Sequence, residues 1–275
     1  MSGATSTLSA LPGEASAFTP QPLPATQLHA KASATYTAKL AETQGLLQQA
    51  AVQFQANGQF TITQASSLGA EDVVITHLIN SLGLGIPVFV LETGALHTET
   101  LGLLERTVQH SQAPVVIYKP VTESVVQFVA REGAEAMYKS IELRKACCGI
   151  RKMEPLARAL AGKEAWITGL RREQSNARAE VPLTDESEKA TNGEKGRVKL
   201  NPLANWTWGD VWHYIATQGV DYNPLHDQFF PSIGCAPCTR AISLGEDFRA
   251  GRWWWEDEAA KECGLHVKKS PGAAA

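Results

Sequence analysis

The sequence has 275 residues, of which 44% are hydrophobic and 19% are charged, and its formal net charge at pH 7 is −3. A chain of this length and composition buries one large core or two small ones. Its lysines and arginines form no basic stripe, which argues against nucleic acid as a partner. Only five cysteines are present, an odd number, so they cannot all be grouped in pairs.

The first 35 residues differ in composition from the rest. They are rich in Ala, Ser, Thr and Pro and contain no lysine or arginine before Lys31. A secretory signal needs a cationic start and an apolar run of about 7–15 residues. Because both are missing, we predict a disordered leader over residues 1–35 and a cytoplasmic protein.

Helical and strand patterns alternate along the next 200 residues. Helices are predicted over residues 36–56, after Ala70, across 97–110, after Thr122 and behind the capping box Thr207-x-x-Asp210. Short apolar runs predict five strands: FTIT (60–63), PVFVLET (87–93), PVVIYKP (114–120), EAWITGL (164–170) and KLNPL (199–203). This alternation predicts an α/β domain over residues 36–245, with a mostly parallel sheet and helices on both faces. In such folds, ligands bind beyond the carboxyl ends of the strands.

Three stretches depart from this pattern. The uncharged run between Asp72 and Glu92 is broken by polar residues, glycines and Pro87, which favours a helix, a turn and a strand over a membrane span. Residues 171–199 are charge-dense without an apolar period and predict a mobile loop. Residues 246–275, where the core pattern fades, predict a mobile C-terminal segment.

Four of the cysteines form two close pairs. Cys235 and Cys238 make a C-x-x-C motif, which suits a metal or a redox dithiol, and Cys147 and Cys148 are adjacent. Adjacent side chains diverge by about 100° on a helix, so both reach one centre only if that centre is large. A [4Fe–4S] cluster suits this arrangement better than zinc, whose ligands usually come as two spaced pairs. The alternative is four buried thiols that behave as small hydrophobic groups.

The remaining cysteine, Cys263, lies in the polar stretch KECGLH. Lys261 and His266 flank it, and nearby cations lower the pKa of a thiol. Cys263 is therefore a candidate nucleophile, and the alternative is an incidental surface thiol.

Two stretches that follow predicted strands suit an anion. Ser66, Ser67 and Gly69 precede a helix and offer backbone N–H groups and hydroxyls to a phosphate. Thr93 and Gly94 follow the next strand. Cations recur near strand ends and motifs and suit a phosphate or sulfate group: Arg151, Lys152, Arg171, Arg172, Arg249 and Arg252.

In combination, these motifs resemble the assimilatory adenylylsulfate reductase family from about residue 40 to 268. The motifs that carry the resemblance are Ser-Ser-x-Gly-x-Glu-Asp, LETGALHTETL, CCGIRKMEPL, WITGLRREQS, NPLANWTWGDVWHYI, YNPLHDQFFPSIGCAPCTR, GEDFRAGRWWWE and ECGLH. The resemblance implies an adenine-nucleotide α-hydrolase-like fold. It also implies reduction of adenosine 5′-phosphosulfate (APS) to sulfite and AMP in sulfate assimilation. The Cys263 thiolate would attack sulfur, and thioredoxin or a similar dithiol would release sulfite from the resulting S-sulfocysteine.

The resemblance also implies roles for individual residues. Nucleotide contacts fall to Ser66, Ser67, Gly69, Thr93 and Gly94. The phosphosulfate would be held by Lys152, Arg171, Arg249, Arg252 and His266. The [4Fe–4S] cluster would be ligated by Cys147, Cys148, Cys235 and Cys238.

Two contrasts with related families narrow the activity. ATP-cleaving relatives carry the motif Ser-Gly-Gly-x-Asp-Ser in this loop, and the absence of its final serine here argues against pyrophosphatase chemistry. Relatives specific for the 3′-phosphorylated substrate (PAPS) typically lack the paired cysteines, all four of which are present here. Glu92 and Thr98 stand where Asp and Pro are expected. The alternatives are a PAPS-preferring or dual-specificity reductase and a zinc-stabilised nucleotide-binding module without redox activity. A homo-oligomer is compatible with the sequence.

Overall fold

A six-stranded sheet forms the centre of the molecule in the computed structural model, which describes residues 23–188, 196–243 and 245–257. Its strands are β3 (Ile62–Ser66), β4 (Val88–Leu91), β5 (Val115–Tyr118), β6 (Ala165–Ile167), β7 (Thr184–Glu188) and β8 (Arg197–Leu200), and a hairpin of β1 (Gln55–Ala56) and β2 (Gln59–Phe60) precedes them. The strand order is β5-β4-β3-β6-β8-β7. All neighbours are parallel except β7, which pairs antiparallel with β8. The predicted parallel α/β fold is confirmed.

Eight α-helices surround or extend the sheet in the described ranges. They are α1 (Ala25–His29), α2 (Tyr36–Gln53), α3 (Ala70–Ser81), α4 (Thr98–His110), α5 (Thr122–Glu132), α6 (Ile141–Cys148), α7 (Glu154–Leu160) and α8 (Trp208–Gln218). A π-helical turn, Gly149–Met153, joins α6 to α7. The Thr207 hydroxyl accepts a hydrogen bond from the Asp210 N–H and begins α8, as the capping box predicts. Within the described ranges, none of these helices has the length and apolar character needed to cross a bilayer.

The two faces of the sheet bury different sets of side chains because successive residues of a strand point to opposite sides. On one face, Ile62, Val90 and Ile167 join the main core with α2, α3 and α8. On the other face, Phe89 and Trp166 pack against α7 in a smaller cluster. The smaller cluster lies beside the carboxyl ends of the central strands, where a ligand is expected.

The described structure extends beyond both predicted boundaries of the domain. Within the predicted leader, the buried Ala25 begins α1, which packs on α8, and its N–H donates to Asp227 Oδ1 at 2.7 Å. Within the predicted mobile segment, Trp253 is 1% exposed and Glu256 is also buried. Both boundaries therefore need correction, because contacts with distant residues order stretches that have no apolar period of their own.

The predicted loop at 171–199 also contains regular structure. Short 3₁₀ turns follow Arg171, and β7 adds an antiparallel edge strand. Polar strands at a sheet edge need only one buried face or none, so they lack the apolar run that marks central strands. Residues 189–195 of this stretch lie outside the described residues.

Candidate active site

A cavity of about 220 Å³ lies at the carboxyl ends of β3, β4 and β6. Its apolar side is formed by residues of these strands and of α7: Ala65, Phe89, Leu91, Leu156 and Trp166. Its polar side is formed by hydroxyl, glycine and basic residues: Ser66, Ser67, Gly69, Thr93, Lys152, Thr168, Ser232, Gly234, Arg249 and Arg252. We call it the nucleotide cavity, because an apolar wall suits a base and a cationic wall suits an anion.

The loop between β3 and α3 forms one end of this cavity. Leu68 adopts a left-handed φ of 61°, which turns the chain so that α3 begins directly after Gly69. Ser67 is held by Asp72, whose Oδ2 accepts hydrogen bonds from the Ser67 N–H at 2.7 Å and from its hydroxyl at 2.6 Å. The N-terminus of α3 thus lies beside the cavity, which Ser67 and Gly69 line, and a helix N-terminus is a position that suits an anion.

Two neighbouring acids under this loop have pKa values shifted in opposite directions. Burial raises the pKa of Asp72 to about 6, against the lowering effect of its hydrogen bonds from Ser67. Burial would also raise the pKa of Glu71, but the Arg171 guanidinium and the Gln174 amide hold it below its ordinary value. Glu71 is thus a fixed carboxylate, whereas Asp72 titrates near neutral pH.

Arg171 contacts the cavity wall rather than the cavity. It is 1% exposed, and its Nε donates to Glu71 Oε1 at 2.8 Å while its Nη1 donates to Glu173 Oε2 at 3.0 Å. Its guanidinium also lies 5.3 Å from the ring centroid of Trp208. Arg178, which sequence reasoning missed, lines the cavity instead and donates to Gln174 Oε1 at 2.6 Å.

The basic wall opposite the loop comes from residues near the C-terminal end of the described chain. Arg249 and Arg252 are both buried and line the cavity. The guanidinium of Arg252 occupies the space that a side chain at Gly234 would need, since a Cβ there would lie 2.5 Å from its Nη2. The position of Arg252 thereby explains why the residue before the C-x-x-C motif is a glycine.

A second cavity of about 210 Å³ collects four cysteines. Cys147 and Cys148 come from the end of α6, and Cys235 and Cys238 come from a loop almost ninety residues later. None of the four is in a disulfide. We call this the cysteine cavity. Among the residues that the structure describes, no three His, Cys, Asp or Glu side chains are grouped so as to hold a single metal ion.

The environment of the four thiols combines burial with positive charge. Burial and, to a smaller extent, the neighbouring Cys235 raise the pKa of Cys238 to about 11, against the lowering effect of Lys152 and Arg252. Burial likewise raises the pKa of Cys147, against the lowering effect of Arg151. The neutral thiol is therefore the favoured form of Cys147 and Cys238 without a metal, and the cations suit thiolates that are bound to one.

The two cavities are neighbours. Lys152 lines both of them. The Thr93 hydroxyl lies 3.3 Å from Cys235 Sγ, and the Thr93 carbonyl accepts a hydrogen bond from Arg151 Nη1 at 2.7 Å. Gly94 does not line the nucleotide cavity; its φ of 68° forms the turn after β4, and a Cβ there would lie 3.2 Å from Arg151 Nη1.

The comparisons with known proteins agree with this arrangement. Residues 61–241 match the phosphoadenosine phosphosulfate reductase domain family. The chain belongs to this family. The match confirms the resemblance drawn from the motifs. It spans all four cysteines of the second cavity and most of the nucleotide cavity, whose lining residues Arg249 and Arg252 lie beyond it.

Named relatives of this reductase family are similar over most of their length. The adenosine 5′-phosphosulfate reductase of Allochromatium vinosum is 52% identical over 76% of this chain and 80% of its own. The enzyme of that name from Burkholderia cepacia is 52% identical over 74% of this chain and 79% of its own. Among solved structures, the PAPS reductase of Candida auris in a phosphate complex superposes with a TM-score of 0.59 at 26% identity, over 75% of this chain and 97% of its own. Yeast FAD synthetase, at 11% identity and a TM-score of 0.54 over 79% of this chain and 73% of its own, shares the fold alone.

The sequence-predicted residues thus fall into four groups. The nucleotide cavity brings together Ser66, Ser67, Gly69, Thr93, Lys152, Arg249 and Arg252, and the cysteine cavity brings together Cys147, Cys148, Cys235 and Cys238. Arg171 and Gly94 support the cavity from outside its lining. The predicted nucleophile Cys263 and its neighbour His266 lie outside the described residues.

Proposed function

We propose that this protein reduces adenosine 5′-phosphosulfate to sulfite and AMP in sulfate assimilation. The observation that carries the proposal is the nucleotide cavity, whose apolar side suits an adenine ring and whose cationic side suits a phosphosulfate. Relatives named for this substrate are about half identical to the chain. The free thiols expected for such chemistry suit a reducing compartment, which we take to be the cytoplasm.

The proposed chemistry begins with the Cys263 thiolate. It attacks the sulfur of the phosphosulfate, the sulfur–oxygen bond breaks, and AMP leaves with the electron pair. The product on the enzyme is S-sulfocysteine. One thiolate of a dithiol reductant such as thioredoxin then attacks Cys263 Sγ, which breaks the bond to the sulfonate sulfur and releases sulfite. The second thiolate of the reductant breaks the resulting mixed disulfide and releases the Cys263 thiolate. The dithiol has thereby supplied both electrons and ends as a disulfide.

The residues of the nucleotide cavity contribute to this reaction by charge and orientation. Lys152, Arg249 and Arg252 balance the negative charge that grows on the leaving AMP. The α3 N-terminus binds the phosphate through backbone N–H groups. Arg171 acts indirectly in this proposal, because it holds Glu71 and thereby the wall of the cavity.

The four residues of the cysteine cavity suit a [4Fe–4S] cluster. Four thiols surround one space of about 210 Å³, and such clusters are held by four cysteine thiolates. When bound, the cluster would supply positive iron charge and structural cross-linking beside the anion site. Lys152 belongs to both cavities, so it would balance thiolate charge on one side and phosphosulfate charge on the other.

Intact-mass measurement of the purified, cluster-loaded protein after mixing with APS tests the reaction. We expect an adduct of one sulfonate group on the wild type and none on Cys263→Ser. A missing adduct on the wild type, or an adduct that persists in Cys263→Ser, would refute the mechanism. Turnover with PAPS in place of APS distinguishes the substrate preference, and absorbance near 400 nm distinguishes a cluster from a zinc site.

A further inference from the structure

A buried ion pair joins the cysteine helix to the last described residues of the chain. Arg144 Nε donates to Glu256 Oε1 at 2.9 Å, and Arg144 Nη2 donates to Glu256 Oε2 at 2.7 Å. The two side chains are only 1% and 2% exposed. Because two charges must lose their water, a buried pair of this kind is weak evidence for stability. Its location suggests another role.

Arg144 contacts three features at once. It lies on α6, three residues before Cys147, and lines the cysteine cavity. It hydrogen-bonds Cys148. Its guanidinium also lies 4.6 Å from the ring centroid of Trp253. The pair therefore connects the helix that carries two cysteines with residues 249–256, which we call the basic strap.

The basic strap supplies cations to the nucleotide cavity. Arg249 and Arg252 line that cavity, and Arg252 lies 4.7 Å from the Trp253 ring. Trp253 itself has a left-handed φ of 43°, a strained conformation for a bulky residue. Strain of this kind persists only where surrounding contacts hold the residue in place.

The strap has anchors at both ends. At its start, the Trp253 N–H donates to the Cys238 carbonyl at 3.2 Å and the Arg240 N–H donates to the Gly251 carbonyl at 3.0 Å. At its end, the Glu256 side chain is held by Arg144. Without the Arg144–Glu256 pair, the Trp253 ring loses the Arg144 guanidinium that lies against it. The strained turn that positions Arg252 is then free to relax.

We propose that the Arg144–Glu256 pair positions the basic strap, so that Arg249 and Arg252 stay where they bind the anionic part of the nucleotide. Arg144 and Glu256 are positioning residues and need not touch the ligand. This inference rests on the proposed function, because it takes an adenine nucleotide as the ligand. It predicts that the pair matters for the phosphate of that ligand and not for its nucleoside.

The test compares AMP with adenosine by calorimetry. In the double variant Arg144→Met/Glu256→Met, no lone buried charge remains, which avoids the misfolding expected from either single change. We expect AMP affinity to fall about tenfold, equivalent to losing one charged hydrogen bond, while adenosine affinity stays within about twofold. The conservative variant Glu256→Asp, which retains a carboxylate for Arg144, should lose less AMP affinity than the double variant.

The matched control is Arg240→Met/Glu246→Met. This pair is also bidentate, at 2.6 and 2.8 Å, and lies close in sequence to the strap, but its side chains are about one-third exposed. We expect it to leave both affinities unchanged. Unchanged AMP affinity in the folded Arg144→Met/Glu256→Met protein, or an equal loss for AMP and adenosine, would overturn the inference.

Failure of the proposed function gives a different result. A wild type that binds AMP but forms no sulfonate adduct with APS would refute the proposed reaction and leave the positioning role supported by the AMP-to-adenosine comparison. A wild type that binds neither AMP nor adenosine would overturn both.

Discussion

The nucleotide cavity and the cysteine cavity are adjacent but are built in different ways. The first lies at strand ends, and its loop residues are fixed by local bonds such as those between Ser67 and Asp72. The second is assembled from α6 and a loop that begins at Cys235, so only the tertiary fold brings its four thiols together. Neutral buried thiols need no strong partners, whereas the carboxylates and guanidinium groups around the nucleotide do. The first cavity is therefore held by the protein's own contacts, whereas in our proposal a bound cluster completes the second.

The largest effect that tests this contrast is loss of a cysteine ligand. We expect Cys238→Ser to lower bound iron and acid-labile sulfide at least about tenfold, because each ligand contributes strongly to metal affinity. The affinity for AMP should stay within about threefold, since the nucleotide cavity is held by its own bonds. Iron content measured beside AMP calorimetry checks both parts.

The control for this prediction is Cys263→Ser, which should keep its iron while losing the sulfonate adduct. Iron retained at the wild-type level in Cys238→Ser would contradict the assignment of the cysteine cavity. A parallel collapse of AMP affinity would show instead that the two cavities are one cooperative unit.

An intermediate effect is expected at the boundary between the two cavities. Gly234→Ala would place a Cβ 2.5 Å from Arg252 Nη2 and 2.6 Å from its Cζ, so the guanidinium must move. Because Arg252 belongs to the basic wall, we expect AMP affinity to fall about tenfold with iron content unchanged. Calorimetry with AMP measures the effect.

Gly45→Ala is the matched control, since nothing lies within 4 Å of a Cβ at that position in α2. It should keep AMP affinity and gain roughly 0.5–1 kcal/mol of stability, because alanine loses less chain entropy than glycine in a helix. Equal AMP affinity in both glycine variants would show that Arg252 can move without cost.

The smallest effect concerns pH. The folded-state pKa of Asp72 is raised from 3.8 to about 6, so the folded protein binds an extra proton between these values and loses stability as the pH rises through them. Between pH 5 and pH 7.5, the wild type should lose about 1.4 kcal/mol relative to Asp72→Asn, which corresponds to one pH unit of linkage. Urea unfolding of both proteins at the two pH values measures this difference.

Glu71→Gln is the comparison variant, because the pKa of Glu71 is shifted in the opposite direction from that of Asp72. The folded-state pKa of Glu71 is lowered from 4.5, so its stabilisation is fully present above that value and is lost only as the pH falls below it. Over the same range of pH, the difference between wild type and Glu71→Gln should be nearly constant. If the stability difference between the wild type and Asp72→Asn were also constant over this range of pH, Asp72 would be ionised throughout it.

Much of the fold was predictable because it rests on local patterns. Apolar runs identified β4, β5 and β6 to within a few residues, and the Thr207-x-x-Asp210 capping box located the start of α8. The buried face of a predicted helix was harder to predict, because burial depends on distant partners. In α5, which was predicted after Thr122, Val126 is 56% exposed, whereas Phe128, two residues away, is buried.

The candidate site was predictable in its residue types and less so in its contacts. The serines, Thr93 and the arginines of the strap were identified from motifs, and they line one cavity. Arg171 was expected to face the ligand, but the nearby carboxylates of Glu71 and Glu173 bind it first. Arg178 had no distinguishing signal, because its position in a charged, aperiodic stretch is typical of a surface loop.

The sequence by itself determined the alternation of the central strands and helices along the chain, the grouping of cysteines into pairs and the family, since each depends on short stretches of residues or on their order. Only the tertiary structure decided which cations reach the nucleotide and how the two cysteine pairs meet. The pairing of Arg144 with Glu256 was likewise decided there, across 112 residues of sequence. Such contacts depend on burial and on competition between charged partners, and both are properties of the packed molecule rather than of any local pattern.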